Sequence, residues 1–160
     1  MPQIRTATIV DAEVLARLVS DSFRPVAARF GLTPANCPTH PSFCTPEWIR
    51  ADVRKGKSYY ILSAGKVPCG CVAIEQPQPE VCYLQRLAVL PEFRRQGHGR
   101  ALVEHVLAEA ARRQAARVEL AMIADHHELK AWYEKVGFTT MRTERFSHLP
   151  FTVAFLARAL

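Results

Sequence analysis

Leu87-Ala88-Val89-Leu90-Pro91-Glu92-Phe93-Arg94-Arg95-Gln96-Gly97-His98-Gly99-Arg100 is the stretch around which the rest of the chain is organised. An apolar run stops at Pro91, two arginines follow, and glycines stand at 97 and 99 before a helical pattern over 101–113. A strand that turns through a basic, glycine-containing loop into a helix start is suited to an anion. The first helical turn has unpaired N–H groups and a partial positive charge. Glycine lets those groups approach a ligand without a side chain in the way. Taken alone, Arg94-x-x-Gly97-x-Gly99 leaves two readings open, a phosphate cradle and a glycine turn with solvated arginines. Two other nucleotide motifs do not fit. A P-loop needs Lys and then Ser or Thr after its last glycine, and Arg100-Ala101 stands there instead. A dinucleotide fingerprint needs a third glycine, and Leu102 occupies that place.

The chain has 160 residues, which suits one domain spanning 1–160. At 49% hydrophobic and 22% charged residues it reads as globular. No apolar run approaches membrane-spanning length and the N-terminus lacks a signal-peptide pattern, so the expectation is a cytoplasmic protein with no membrane partner. The net charge of +6 suits a polyanionic ligand. The basic residues are scattered without aromatic interleaving, so no nucleic-acid partner is expected; that reading rests on charge alone. Five cysteines, an odd number, point to free thiols in a reducing compartment, with Cys69, Cys71 and Cys82 as small apolar residues of strands.

From the N-terminus, 3–9 reads as a strand and Asp11 as the cap of a helix carrying Leu15, Leu18 and Val19 on one face. Pro25 is expected to bend or end that helix. A proline-rich loop follows, and Thr45-Pro46-Glu47 starts a short second helix. Strands are expected over 57–64, 67–76 and 81–89, with Gly65-Lys66 as a hairpin turn and Pro77 and Pro79 as breakers. After the helix at 101–113, the strand at 118–124 completes a right-handed parallel βαβ unit. A short helix closed by Gly137 and two final strands complete the order β-α-α-β-β-β-α-β-α-β-β, an α/β fold.

A second motif lies one strand beyond the first: Trp132-Tyr133-Glu134-Lys135-Val136-Gly137-Phe138. Together with Leu87-Ala88-Val89 through Gly99 it resembles the Gcn5-related N-acetyltransferase (GNAT) superfamily, and the element order over the whole chain is similar to that family's plan. The resemblance implies a mixed, splayed six- or seven-stranded sheet with flanking helices and acetyl-CoA in the opening. The backbone of Leu87 and Val89 would pair with the pantetheine arm. Arg94, Arg95, Gln96, Gly97, His98, Gly99 and Arg100 would cradle the pyrophosphate, mainly through N–H groups. Tyr133 would be the general acid, since a phenol of pKa about 10 can protonate a leaving thiolate. His126 falls where relatives bind the cofactor arm. The implied reaction is acetyl transfer to a primary amine of a small molecule or peptide, by direct attack in a ternary complex.

The chain departs from the family at Gln85, where many members carry a glutamate base. His40, Glu80, His126, His127 and His148 are the alternative proton acceptors, with His148 singled out as a base or acceptor contact because its turn borders the acceptor pocket in relatives. A non-catalytic acyl-CoA-binding domain is the alternative that Gln85 motivates. Cys37-x-x-His40-x-x-x-Cys44 has three metal-capable side chains but no fourth nearby, so no metal is expected. Acceptor choice is expected to come from the 31–45 loop and from the turns at 77–80 and 147–150. Relatives often pair, and the apolar C-terminal strands over 138–157 would suit a homodimer.

Overall fold

The computed structural model describes residues 2–160. Its centre is a seven-stranded sheet in the order β1-β2-β3-β4-β5-β7-β6. The strands are β1 (Gln3–Thr6), β2 (Ser58–Ala64), β3 (Val67–Gln78), β4 (Val81–Val89), β5 (Arg117–Ile123), β6 (Thr139–Arg145) and β7 (Thr152–Ala159). All neighbours are antiparallel except β4 and β5. The crossover between those two is α3 (His98–Arg112), as a parallel pair requires.

Period-2 alternation in the strands feeds two apolar layers. On one face Val72, Ile74, Leu84, Val118 and Leu120 pack against Leu102, Val103 and Val106 of α3 and against Tyr133 of α4 (His127–Lys135). On the other, Tyr59, Ile61, Cys71, Ala73 and Ala88 pack against Leu15, Leu18 and Val19 of α1 (Ala12–Phe30) and Ile49 of α2 (Pro46–Arg54). Gly70 sits where β3 presses on β4: a Cβ there would lie 2.9 Å from the Ala88 carbonyl oxygen, so only glycine fits. All five thiols are free and buried, with Cys37 and Cys44 in different apolar clusters.

The break expected at Pro77 is corrected, and of the two outcomes expected at Pro25, a bend or an end, the end is excluded. Helix α1 runs through Pro25 and ends five residues later, where Gly31 (φ 64°) donates its N–H to the carbonyls of Ala27 and Ala28. Pro25 is exposed, so the Asp21 carbonyl that loses its partner faces solvent rather than core. Strand β3 likewise continues through Pro77 to Gln78, because the register with β4 shifts between Glu75 and Gln78 and no ladder hydrogen bond is asked of Pro77. The Thr45 cap is as expected, its hydroxyl accepting from the Trp48 N–H at 3.4 Å.

Candidate active site

The parallel pairing of β4 with β5 is short. It covers Val81↔Arg117, Cys82↔Val118 and Tyr83↔Glu119, and then the strands part. Beyond Tyr83, β4 stays with β3, while β5 stays with β7 to Ile123↔Val153. The opening is a cleft of ≈ 1120 Å³ that passes from the α3/α4 face to the α1 face.

Strand β4 is bent along this edge. Between the pairs Ala73↔Gln85 and Cys71↔Ala88, Val72 alone faces Arg86 and Leu87, a bulge with Arg86 at φ 51°. A left-handed arginine is strained, and the neighbourhood holds it in place. Its Nε lies 3.2 Å from the carboxylate of Asp52, which is only 7% exposed. Asp52 also accepts from the Tyr59 hydroxyl at 2.5 Å and has Lys57 Nζ at 3.6 Å. Burial is the main reason the Tyr59 phenol is pushed well above its ordinary range. Past the bulge, the Leu90 N–H bonds to the Cys69 carbonyl at 2.9 Å. That makes Val89↔Gly70 a non-hydrogen-bonded pair, so the N–H and C=O of Val89 turn toward the opening.

The loop after β4 alternates in hand: Arg95 at φ 62°, Gly97 at φ 82° and cap of α3. Such alternation turns successive N–H groups into one concavity, an anion nest at a helix start. Arg94 does not reach outward from it. Its Nε donates to the Val89 carbonyl at 3.1 Å and a terminal nitrogen to the Ser22 carbonyl at 2.7 Å, tying the loop to α1. Arg94, Arg95, Gly97, His98, Gly99 and Arg100 line the cleft, whereas Gln96 is exposed and outside it. Gly99 packs closely on Trp132: a Cβ there would lie 3.3 Å from the ring, which would have to shift by a few tenths of an ångström.

His98 is 6% exposed, and among the described residues neither ring nitrogen has a partner; the Ser22 hydroxyl, also lining the cleft, has none either. Buried polar atoms without partners are rare and ask for a ligand or water. Ser22 carried no signal in the sequence, being one polar residue on an otherwise ordinary helix face.

Tyr133 lines the same cleft at 5% exposure, edge-on to Trp132 and Phe138 at 5.0 and 5.6 Å between ring centres. Burial raises its pKa above the usual phenol range, so the hydroxyl keeps its proton at neutral pH. His126 caps α4, its Nδ1 accepting from the Leu129 N–H at 3.4 Å, and lines the cleft. Burial lowers its pKa. His148 is not brought in: it is exposed in the β6–β7 turn, 5.8 Å from the Phe146 ring, and is not among the cleft residues. Gln85 lines the cleft and donates to Glu75 at 3.3 Å, while Glu119, at the point where β4 and β5 part, is held by Arg117 at 2.6 Å. Of the loops expected to select the acceptor, Thr39, His40 and Pro41 line the cleft, as does Leu149 of the 147–150 turn; the 77–80 turn does not.

Residues 21–138 match the model of the acetyltransferase (GNAT) family. The chain belongs to that family. It is similar to the [ribosomal protein bS18]-alanine N-acetyltransferase of Escherichia coli (strain K12), at 38% identity over 88 residues, 55% of this chain and 58% of that protein. The match therefore spans little more than half the length of that relative. The crystal structure of the E. coli ribosomal-protein-S18-alanine N-acetyltransferase superposes with a TM-score of 0.78 at 18% identity, covering 99% of this chain and 94% of that one. The PaiA N-acetyltransferase of Thermoplasma acidophilum, crystallised with coenzyme A, gives 0.77 at 15% identity, over 100% and 99% of the two chains. The fold of these structures is thus the fold of this GNAT chain. The cleft residues suit a phosphate-bearing ligand such as coenzyme A: an anion nest, the Val89 N–H on the open strand edge, and polar atoms of Ser22 and His98 without partners among the described residues.

Proposed function

We propose that this enzyme transfers an acetyl group from acetyl-CoA to the free α-amine of a peptide or protein, by direct attack within a ternary complex. The observation that carries this reading is the parting of β4 from β5 at Tyr83 and Glu119, with the nest and the buried Tyr133 phenol on one cleft. The relatives named for alanine N-acetylation of a ribosomal protein support an N-terminal acceptor. So does the chemistry of the site. With glutamine at 85, β4 offers no carboxylate where the family often has its base. An α-amine of pKa about 7.8 is roughly one-quarter neutral at pH 7.4, whereas a lysine amine of pKa about 10.4 is neutral about once in a thousand. The α-amine therefore has the smaller need of a strong base.

Acetyl-CoA supplies an activated thioester when bound. The Val89 backbone and the N–H groups of the Arg95–Arg100 loop hold and orient it, while Leu87, His98 and His126 line its path. The amine nitrogen bonds to the acetyl carbon as the carbon–sulfur bond breaks. Tyr133 gives its hydroxyl proton to the departing sulfur, and the nitrogen's surplus proton leaves through cleft water near Glu119. Residues 1–160 act as one domain, and the five reduced thiols are in keeping with a cytoplasmic setting. No helix among the described residues is long and apolar enough to cross a membrane. Coenzyme A release over a panel of peptides with free and blocked N-termini tests the reading. Turnover confined to free N-termini is expected; turnover with lysine side chains of N-blocked peptides alone would refute it.

A further inference from the structure

His40 is the group whose geometry says more than the transfer reaction requires. It lies in the α1–α2 connection, 6% exposed, with its ring edge-on to Phe23 and Phe43 at 5.8 and 6.3 Å, and it lines the cleft. Its Nδ1 is 3.3 Å from the Ser42 backbone N–H and 2.7 Å from the Ser42 hydroxyl. A backbone N–H can only donate, so Nδ1 must be the acceptor and carries no proton. In the neutral ring the proton is then on Nε2. Burial favours that neutral ring. Nε2 has no hydrogen-bond partner among the described residues, and unlike the nitrogens of His98 it is not sealed off from solvent. The cleft thus contains a fixed N–H donor, held at the correct tautomer by its own turn. A nitrogen that already bears a proton cannot take another from the amine, so His40 is not the base.

We infer that His40 Nε2 donates a hydrogen bond to a carbonyl oxygen of the acceptor, making it a specificity residue for amines that carry a carbonyl on the adjacent carbon. The inference rests on the proposed N-terminal acetyl transfer and adds the contact that tells a peptide end from a plain alkylamine. Phe23, edge-on to His40, gives that contact one apolar neighbour, and Phe151 lines the same cleft.

The test pairs two substrates with three variants. Alaninamide carries the carbonyl; isopropylamine has the same skeleton with a methyl in its place. Each variant is compared with wild type on each amine separately, which cancels the difference in amine basicity. His40→Ala is expected to lower kcat/KM about tenfold for alaninamide and to leave isopropylamine within about twofold. His40→Gln, which keeps a donor at the reach of Nε2, is expected to recover most of the loss. His40→Asn, which can keep the turn through its side-chain oxygen but lacks that reach, is expected to behave like His40→Ala. Equal losses on both amines, or rescue by Asn rather than Gln, would mean that His40 only shapes its loop and would overturn the inference. Long-range ¹H–¹⁵N NMR of the wild-type ring gives an answer without turnover: a proton on Nδ1 overturns it as well. A protein that binds acetyl-CoA yet acetylates neither amine nor any peptide would remove the proposed reaction, and the inference with it.

Discussion

Replacing Asp52 with alanine probes the joint on which the bent edge of the site depends. The carboxylate accepts from the Tyr59 hydroxyl at 2.5 Å, pairs with Arg86 at 3.2 Å and has Lys57 at 3.6 Å. Its loss leaves the Arg86 guanidinium, 17% exposed, without its counter-charge, and the Tyr59 hydroxyl without its acceptor. Removing one partner of a buried pair costs about 3–5 kcal/mol. Arg86 retains some water and stacks over Trp48 at 5.6 Å, so the lower end applies, about 3 kcal/mol. For a chain of this size that is a fall in Tm of about 6–12 °C, measurable by calorimetry or by the urea midpoint. Most of the cost is the stranded charge, so Asp52→Ala combined with Arg86→Met should lose less than the sum of the single changes. A fall below about 1 kcal/mol for Asp52→Ala, or strict additivity in the double variant, would refute the view that this carboxylate holds the bulge.

Three further outcomes follow from single positions. Tyr133→Phe should lower kcat by about 10² or more while the acetyl-CoA dissociation constant moves less than about twofold; unchanged kcat would remove Tyr133 as the acid. Gly70→Ala forces a methyl to within 2.9 Å of the Ala88 carbonyl and should destabilise by about 1–3 kcal/mol in urea titrations; a neutral substitution would show that β3 and β4 separate easily. Hydrogen bonding from Arg112, and then Arg113, holds Glu109 down at about 2. Its folded pKa lies below its unfolded one, so it contributes stability above the ordinary carboxylate range that is lost as pH falls from about 4.5 to about 2. Glu109→Gln should flatten that part of the acid-unfolding curve, and an unaltered slope would contradict the pairing.

Much of the frame was legible because its determinants are local. The run 87–100 carries its own turn residues, and the helix after it has an apolar face at regular spacing, so strand, loop and helix could be read in order. Tyr133 was found by motif, and burial then explains why its proton stays in place. What escaped depends on partners distant in sequence. Arg94 looked like a phosphate arm, but its guanidinium is taken up by Val89 and by Ser22, which lies 72 positions away. The bulge at Arg86 has no local glycine to announce it, since Asp52 on another element holds it. The local rule that makes Pro77 a strand breaker and lets Pro25 end a helix ignores whether the lost hydrogen bond is needed. His148 and His40 looked alike as loop histidines; only the fold places one in solvent and the other in the cleft with a fixed tautomer.

Isothermal titration of the folded protein with acetyl-CoA tests whether the cleft and its nest bind that donor. Saturable binding with one site per chain is expected, with about tenfold or greater weakening when Gly99→Val displaces Trp132 and blocks the approach to the nest. No heat of binding at millimolar acetyl-CoA, with the thermal transition intact, would contradict it.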